Sequence, residues 1–197
     1  MKKSILFALL LPFAAGCRGE GSSSKSSSQD TPDSAAPLSA TDAGRIPEIA
    51  MLISSFIGNI ENRSVAGKNT GNINISATDC PEGGTVAISG KTRYEEKTNQ
   101  KELNYVMAGC ASVQRGYTIT LTGTVAESGS VQAVSGVILT ENLTYKAGSQ
   151  VAVVIKNAAG EIYFDNSCTF SILVEQASRD SAISVSGTLC GYSASKK

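Results

Sequence analysis

Five cysteines are the residues of widest chemical range in this 197-residue chain: Cys17, Cys80, Cys110, Cys168 and Cys190. There is no histidine and no tryptophan. Imidazole-based triads, His-ligated zinc or haem, and histidine pH switches are thereby excluded. Catalysis would need paired carboxylates, a serine-lysine pair or a lone thiolate. The carboxylates are scattered over turns, with Asp79 and Glu82 beside Cys80 and Asp165 near Cys168. Glu95 and Glu96 are adjacent, and neighbours along a strand point to opposite faces, so they cannot flank one glycosidic bond. No G-x-S-x-G, phosphate-loop or calcium-loop pattern occurs. The expectation is a non-enzymatic chain with no cofactor. The absence of both C-x-x-C and histidine also argues against a metal site. Lys plus Arg and Asp plus Glu both number 17, so no broad field draws nucleic acid.

The chemistry of Cys17 depends on what precedes it. Lys2 and Lys3 lead into a short apolar run from Ile5 to Phe13, then Ala14, Ala15 and Gly16. Such a run is too short to span about 30 Å of hydrocarbon and has the form of a secretory signal, residues 1–16. Ala14-Ala15-Gly16-Cys17 resembles the lipobox of bacterial lipoproteins. The resemblance implies a diacylglycerol on the Cys17 thiol and cleavage before it, which makes the membrane a partner through this anchor. Arg18, where aspartate would retain such a protein at the inner membrane, implies the outer membrane, on its periplasmic or surface face.

Residues 17–44 are rich in Ser, Gly, Asp and Ala and almost devoid of large apolar side chains. They read as a solvated tether with a root-mean-square span of about 30 Å. Over 45–63, Ile46, Ile49, Ile53, Phe56, Ile57 and Ile60 recur at helical spacing, and Pro47 with Glu48 suits a first turn, which predicts an amphipathic helix over about 47–61. Its polar face has few cations, only Arg45 and Arg63 flanking it, which favours docking on the following domain over lying on a membrane surface.

From 70 to 192 the pattern changes to period two. Tyr117, Ile119, Leu121 and Val125 alternate with threonines; similar period-two alternation appears in Val86 and Ile88, Leu103, Tyr105 and Met107, Val151, Val153 and Ile155, Phe170, Ile172 and Val174, and Ile183, Val185 and Leu189. Aliphatic-Ser/Thr-Gly triplets ending at Gly90, Gly123, Gly136 and Gly187 predict bulges or sharp bends within strands. The fold class expected is mainly β: an antiparallel, strongly coiled meander, as a sandwich or a half barrel, with one N-terminal amphipathic helix.

Cys80, Cys110, Cys168 and Cys190 then form an even set in an exported chain, which predicts two disulfides. Three connectivities are possible, and Cys80 with Cys110 and Cys168 with Cys190 are preferred because each closes a local segment. Tyr105 and Tyr163 each stand five residues before a cysteine of this set.

The segments CPEGGTVAISG, LNYVMAGC and ISVSGTLCGY resemble pieces of uncharacterised, cysteine-bearing β-rich lipoproteins of Gram-negative bacteria, a likeness that implies no activity. In layout alone, a helix before an antiparallel meander on a lipidated chain resembles the half-barrel carriers of lipoprotein transport. The expected function is therefore a membrane-anchored envelope lipoprotein whose β domain binds a protein or envelope component. A carrier of lipid or other hydrophobic ligands and an inhibitor of an envelope enzyme are the alternatives.

Overall fold

The helix starts earlier than Pro47 suggests. In the computed structural model, which describes residues 38–65, 70–134 and 136–195, helix α1 runs Ala40–Ser64. Ser39 caps it, its hydroxyl accepting the Asp42 backbone N–H at 3.1 Å, and Asp42 places a carboxylate in the first turn. Pro47 thus lies inside α1 rather than in its first turn, and residues 40–44 of the expected tether are helical. Proline marks a helix start only when no better cap precedes it, and Ser39 does. The signal segment 1–16, Cys17 and the tether through residue 37 lie outside the described residues.

Ile46, Ile49, Ala50, Leu52, Ile53, Phe56, Ile57 and Ile60 are all buried, an arc of about 160° at 100° per residue. So wide a stripe needs partners on several sides. The partners are strands of one antiparallel sheet: β1 Gly71–Asp79, β2 Thr85–Glu95, β3 Thr98–Gln114, β4 Tyr117–Val134, β5 Val137–Ala147, β6 Val151–Lys156, β7 Ile162–Cys168, β8 Phe170–Gln176, β9 Ser184–Leu189 and β10 Tyr192–Ser193. The order is β1-β2-β3-β4-β5-β8-β9-β10, with β6 paired to β4 and β7. β1 and β10 end the path unpaired to each other, so the sheet is not closed into a barrel. The helix packs on β3, β4, β8, β9 and β10, so the apolar face of the sheet curls around it.

The long β3–β4 hairpin is the spine. Val125–Val134 of β4 pairs with β5, whereas Thr118–Thr122 pairs with β6, so two arms leave the same strand on either side of Gly123. The predicted alternation is visible in burial, with Ile119, Leu121 and Val125 on β4, Val151, Val153 and Ile155 on β6, and Ile172 and Val174 on β8 sharing one core with α1. Two positions depart from expectation. Ile183 precedes β9 and is 44% exposed, because the row there starts only at Val185. Gly136 belongs to the β4–β5 turn, and a Cβ placed there would meet nothing within 4 Å, so it is not a strand kink.

Cys80 is bonded to Cys110 and Cys168 to Cys190, with Cα–Cα distances of 5.4 and 5.0 Å. The first bond fastens the β1–β2 turn to β3, where the Glu82 N–H also reaches Ala111 O at 2.9 Å. Gly84 is required there: a Cβ would lie 2.0 Å from Gly109 O. The second bond fastens the end of β7 to the β9–β10 turn.

Candidate functional site

Four apolar rows change character at the same end of the domain. On β3 the inward row Met107, Tyr105, Leu103 continues to Lys101; on β4 Val125 is followed by Glu127; on β5 Tyr145 and Leu143 lead to Glu141. On α1, one turn beyond Ile57, the buried face reaches Glu61. Strand register makes them neighbours, since Leu103 pairs with Glu127 and Glu127 with Tyr145, while Lys101 pairs with Gly129 and Gly129 with Leu143. Only glycine fits at 129, because a Cβ would sit 2.0 Å from Asn142 O.

Lys101 is the hub. Its Nζ donates to Glu61 Oε2 at 2.7 Å and lies 3.5 Å from Glu127 Oε1, all three residues being buried. The Tyr105 hydroxyl donates to Glu127 Oε2 at 2.5 Å. Glu127 Oε1 has the ion pair but no hydrogen bond, although it is wholly buried. Burial raises the Glu127 carboxyl from 4.5 to about 7; Glu61 raises it too, while Lys101 and the Tyr105 hydroxyl oppose the shift. Burial alone would lower the Lys101 pKa, but the attraction of Glu127 and Glu61 outweighs it and the ammonium is held above its ordinary range. Burial, followed by Glu127, lifts both Tyr105 and Tyr145, so both phenols stay protonated. These groups form an ammonium held by two buried carboxylates.

The cluster walls a cavity of about 560 Å³ between the C-terminal end of α1 and the tips of the β2–β3 and β4–β5 hairpins. Glu61, Lys101, Glu141, Asn99 and Tyr145 supply its polar wall. Tyr94, Val131, Ile138 and Leu143 supply apolar surface, of which Tyr94 and Ile138 are 45% and 42% exposed. Asn99 Oδ1 is buried with no hydrogen-bond donor. Burial raises the Glu141 carboxyl above its ordinary value, Lys101 opposing and Glu61 assisting.

At the opposite end of α1, Tyr163 on β7 donates its hydroxyl to Glu48 Oε2 at 2.5 Å, and Arg45 lies 4.6 Å over its ring. Tyr117 packs against the same ring at 4.9 Å. These contacts pin the start of the helix to the β4–β6–β7 arm, so Tyr105 and Tyr163 each give a carboxylate a hydroxyl partner.

Of the residues singled out from sequence, Cys17 lies outside the described residues. None of the four bonded cysteines lines the cavity. Among the described residues no group of three or more Cys, Asp or Glu is arranged to hold a metal ion, and no helix is long and apolar enough to cross a membrane. Sequence reasoning overlooked Glu61, Lys101, Glu127 and Glu141. The available signal was that each continues an apolar row in register, a charged residue where a core residue belongs. Compared with known proteins, the chain matches no protein-family model, no curated protein and no solved structure.

Proposed function

We propose that the chain is a lipid-anchored protein of the bacterial envelope, held at the outer membrane through Cys17, whose β domain binds a protein or envelope component without catalysing a reaction. The observation that carries the binding role is the cavity of about 560 Å³, where buried charge and exposed apolar side chains share one concave wall. A concave, partly apolar wall with a few convergent polar groups is the usual form of a binding site. The anchor rests on the Ala14-Ala15-Gly16-Cys17 motif.

A carrier of bulky hydrophobic ligands is the weaker reading. Its lumen would be the concave apolar face of the sheet, and α1 fills that face with eight buried side chains from Ile46 to Ile60. Inhibition of an envelope enzyme is one form that protein binding would take.

The test compares the full chain with one ending after residue 44, and each with its Cys17→Ser variant. The expected outcome is palmitate labelling and membrane fractionation that depend on Cys17 in both, with crosslinked adducts in the outer-membrane and peptidoglycan fractions only when residues 45–197 are present. Identical adducts without the domain would sink the binding role, and labelling that ignores Cys17→Ser would sink the anchor.

A further inference from the structure

Lys101 and Glu61 are held in a way that suits reaction as well as attraction. Lys101 Nζ donates to Glu61 Oε2 at 2.7 Å, which puts the Glu61 carboxyl carbon about 3.5 Å from the nitrogen, the usual range of a near-attack arrangement. Water is scarce there. The side chains of Lys101 and Glu61 are 10% and 9% exposed, and that of Glu127 is 0% exposed. A second carboxylate stands on the same nitrogen: Glu127 Oε1, buried and without a hydrogen bond, lies 3.5 Å from Nζ. The Tyr105 hydroxyl holds the other Glu127 oxygen, which leaves Oε1 to face the lysine.

An amine, a carboxyl and a second carboxylate able to move protons are the parts of an amide condensation. Burial alone would favour the free amine, but attraction to Glu127 and Glu61 keeps Lys101 charged, so a proton has to leave the nitrogen before it attacks. The 2.7 Å hydrogen bond gives that proton a path to Glu61. Glu127, its carboxyl raised to about 7 by burial, is matched to take up and return a proton near neutral pH. Dryness sets the direction. Keeping an ammonium and a carboxylate out of water is costly, whereas an amide carries no charge. Lys101 and Glu61 both line the cavity at the end of α1, which gives the water released an exit.

We propose that Lys101 Nζ and the Glu61 carboxyl condense to an amide, so that β3 and α1 are joined by an intramolecular covalent bond, with Glu127 as the proton carrier. One proton passes from Nζ to Glu61 Oε2. The nitrogen lone pair then attacks Glu61 Cδ, the C–N bond forms, and Glu127 Oε1 takes a second proton from the nitrogen. Glu127 returns that proton to the Glu61 hydroxyl, the C–O bond breaks, and one water departs. The third hydrogen of the ammonium stays as the amide N–H, and no oxidant, reductant or co-reactant is consumed. That N–H supplies Glu127 Oε1 with the donor it lacks in the ion-paired state. The ion pair is the state from which the bond forms, once per chain, and the inference does not rest on the proposed binding role. A pull on the residues before α1 then reaches β3 through a bond that spans 40 residues of sequence.

The test is a tryptic digest of the full chain, purified in detergent, reduced and alkylated, and read by mass spectrometry. Trypsin spares a lysine whose amine is acylated, so the expected product is a branched peptide joining residues 46–63 to residues 98–115, one water lighter than their sum. Fragmentation is expected to place the link between Glu61 and Lys101. Lys101→Arg keeps a cation between the carboxylates but removes the amine, and is expected to abolish the branched peptide. Glu127→Gln, checked by circular dichroism for an intact fold, is expected to lower its yield by about tenfold or more. The wild-type digest needs no variant, so a variant that fails to fold leaves the test standing. Full recovery of the free peptides 46–63 and 98–101 from the wild-type chain would overturn the inference. So would a link from Lys101 to a different carboxyl, or an unchanged yield in folded Glu127→Gln.

Discussion

Lys101 Nζ lies 2.7 Å from Glu61 Oε2, which joins the third strand to the last turn of the helix across 40 residues of sequence. Both side chains are about nine-tenths buried, so the pair is shielded from the water and salt that weaken surface ion pairs. Glu127 is buried on the other side of the same ammonium. Removing any member therefore leaves charge in a dry place.

Lys101→Met should destabilise the domain by about 3–5 kcal/mol, because two buried carboxylates lose the cation they share. Glu61→Gln should cost less, since Lys101 keeps Glu127. Urea unfolding followed by tyrosine fluorescence orders the two variants. A Lys101→Met loss below about 1 kcal/mol would show that the cluster is solvated, as exposed pairs are.

The second prediction concerns pH. The Glu127 carboxyl is raised from 4.5 to about 7 by burial first and Glu61 second, with Lys101 and Tyr105 opposing, and Tyr145 also faces it. Between these values the folded chain holds a proton that the unfolded chain has released. Unfolding free energy should therefore fall as pH rises from about 4.5 to 7, by up to about 1.4 kcal/mol per pH unit, and level off above. Glu141, also raised, acts in the same direction. Unfolding curves at pH 5, 6, 7 and 8 measure the slope. Glu127→Gln should flatten most of it, and stability that climbs between pH 5 and 7 would contradict the assignment.

Third, each disulfide should contribute about 3–4 kcal/mol through the loops of 30 and 22 residues it closes, in the chain-entropy account. Scanning calorimetry of the Cys80→Ser/Cys110→Ser and Cys168→Ser/Cys190→Ser double variants measures each separately. Loss of the first should free the β1–β2 turn, loss of the second the β9–β10 turn, and amide exchange in those segments should rise accordingly. Unchanged exchange in both would mean that packing alone holds the turns.

Much of the fold was legible because period two and period 3.6 are written plainly in this chain. Tyr117 to Val125 announces a strand with one buried face, and Ile46 to Ile60 announces a helix with one. The helix start was misread because Pro47 is a strong local signal, while the cap at Ser39 is one serine among many in a serine-rich segment. Topology was less accessible: nothing along β4 announces that Gly123 divides the part pairing with β5 from the part pairing with β6. The cavity was missed for a related reason. Lys101, Glu127 and Glu141 read singly as ordinary surface charges at strand positions, and only the register shows that three rows reach a charged position side by side.

The placement of α1 inside the curl of the sheet fixes the order in which this domain becomes whole. The helix is the first element of the domain to be synthesised, yet strands β8, β9 and β10, among its packing partners, are the last. Leu189 and Ala194, near the other end of the chain, are fully buried in the finished domain. Until they arrive, the apolar stripe of α1 lacks part of its cover. Folding is consequently governed by contacts distant in sequence, which are slow to form because a long loop must close before they reward it. The nascent helix is a period of vulnerability, when its isoleucines are open to any other apolar surface nearby.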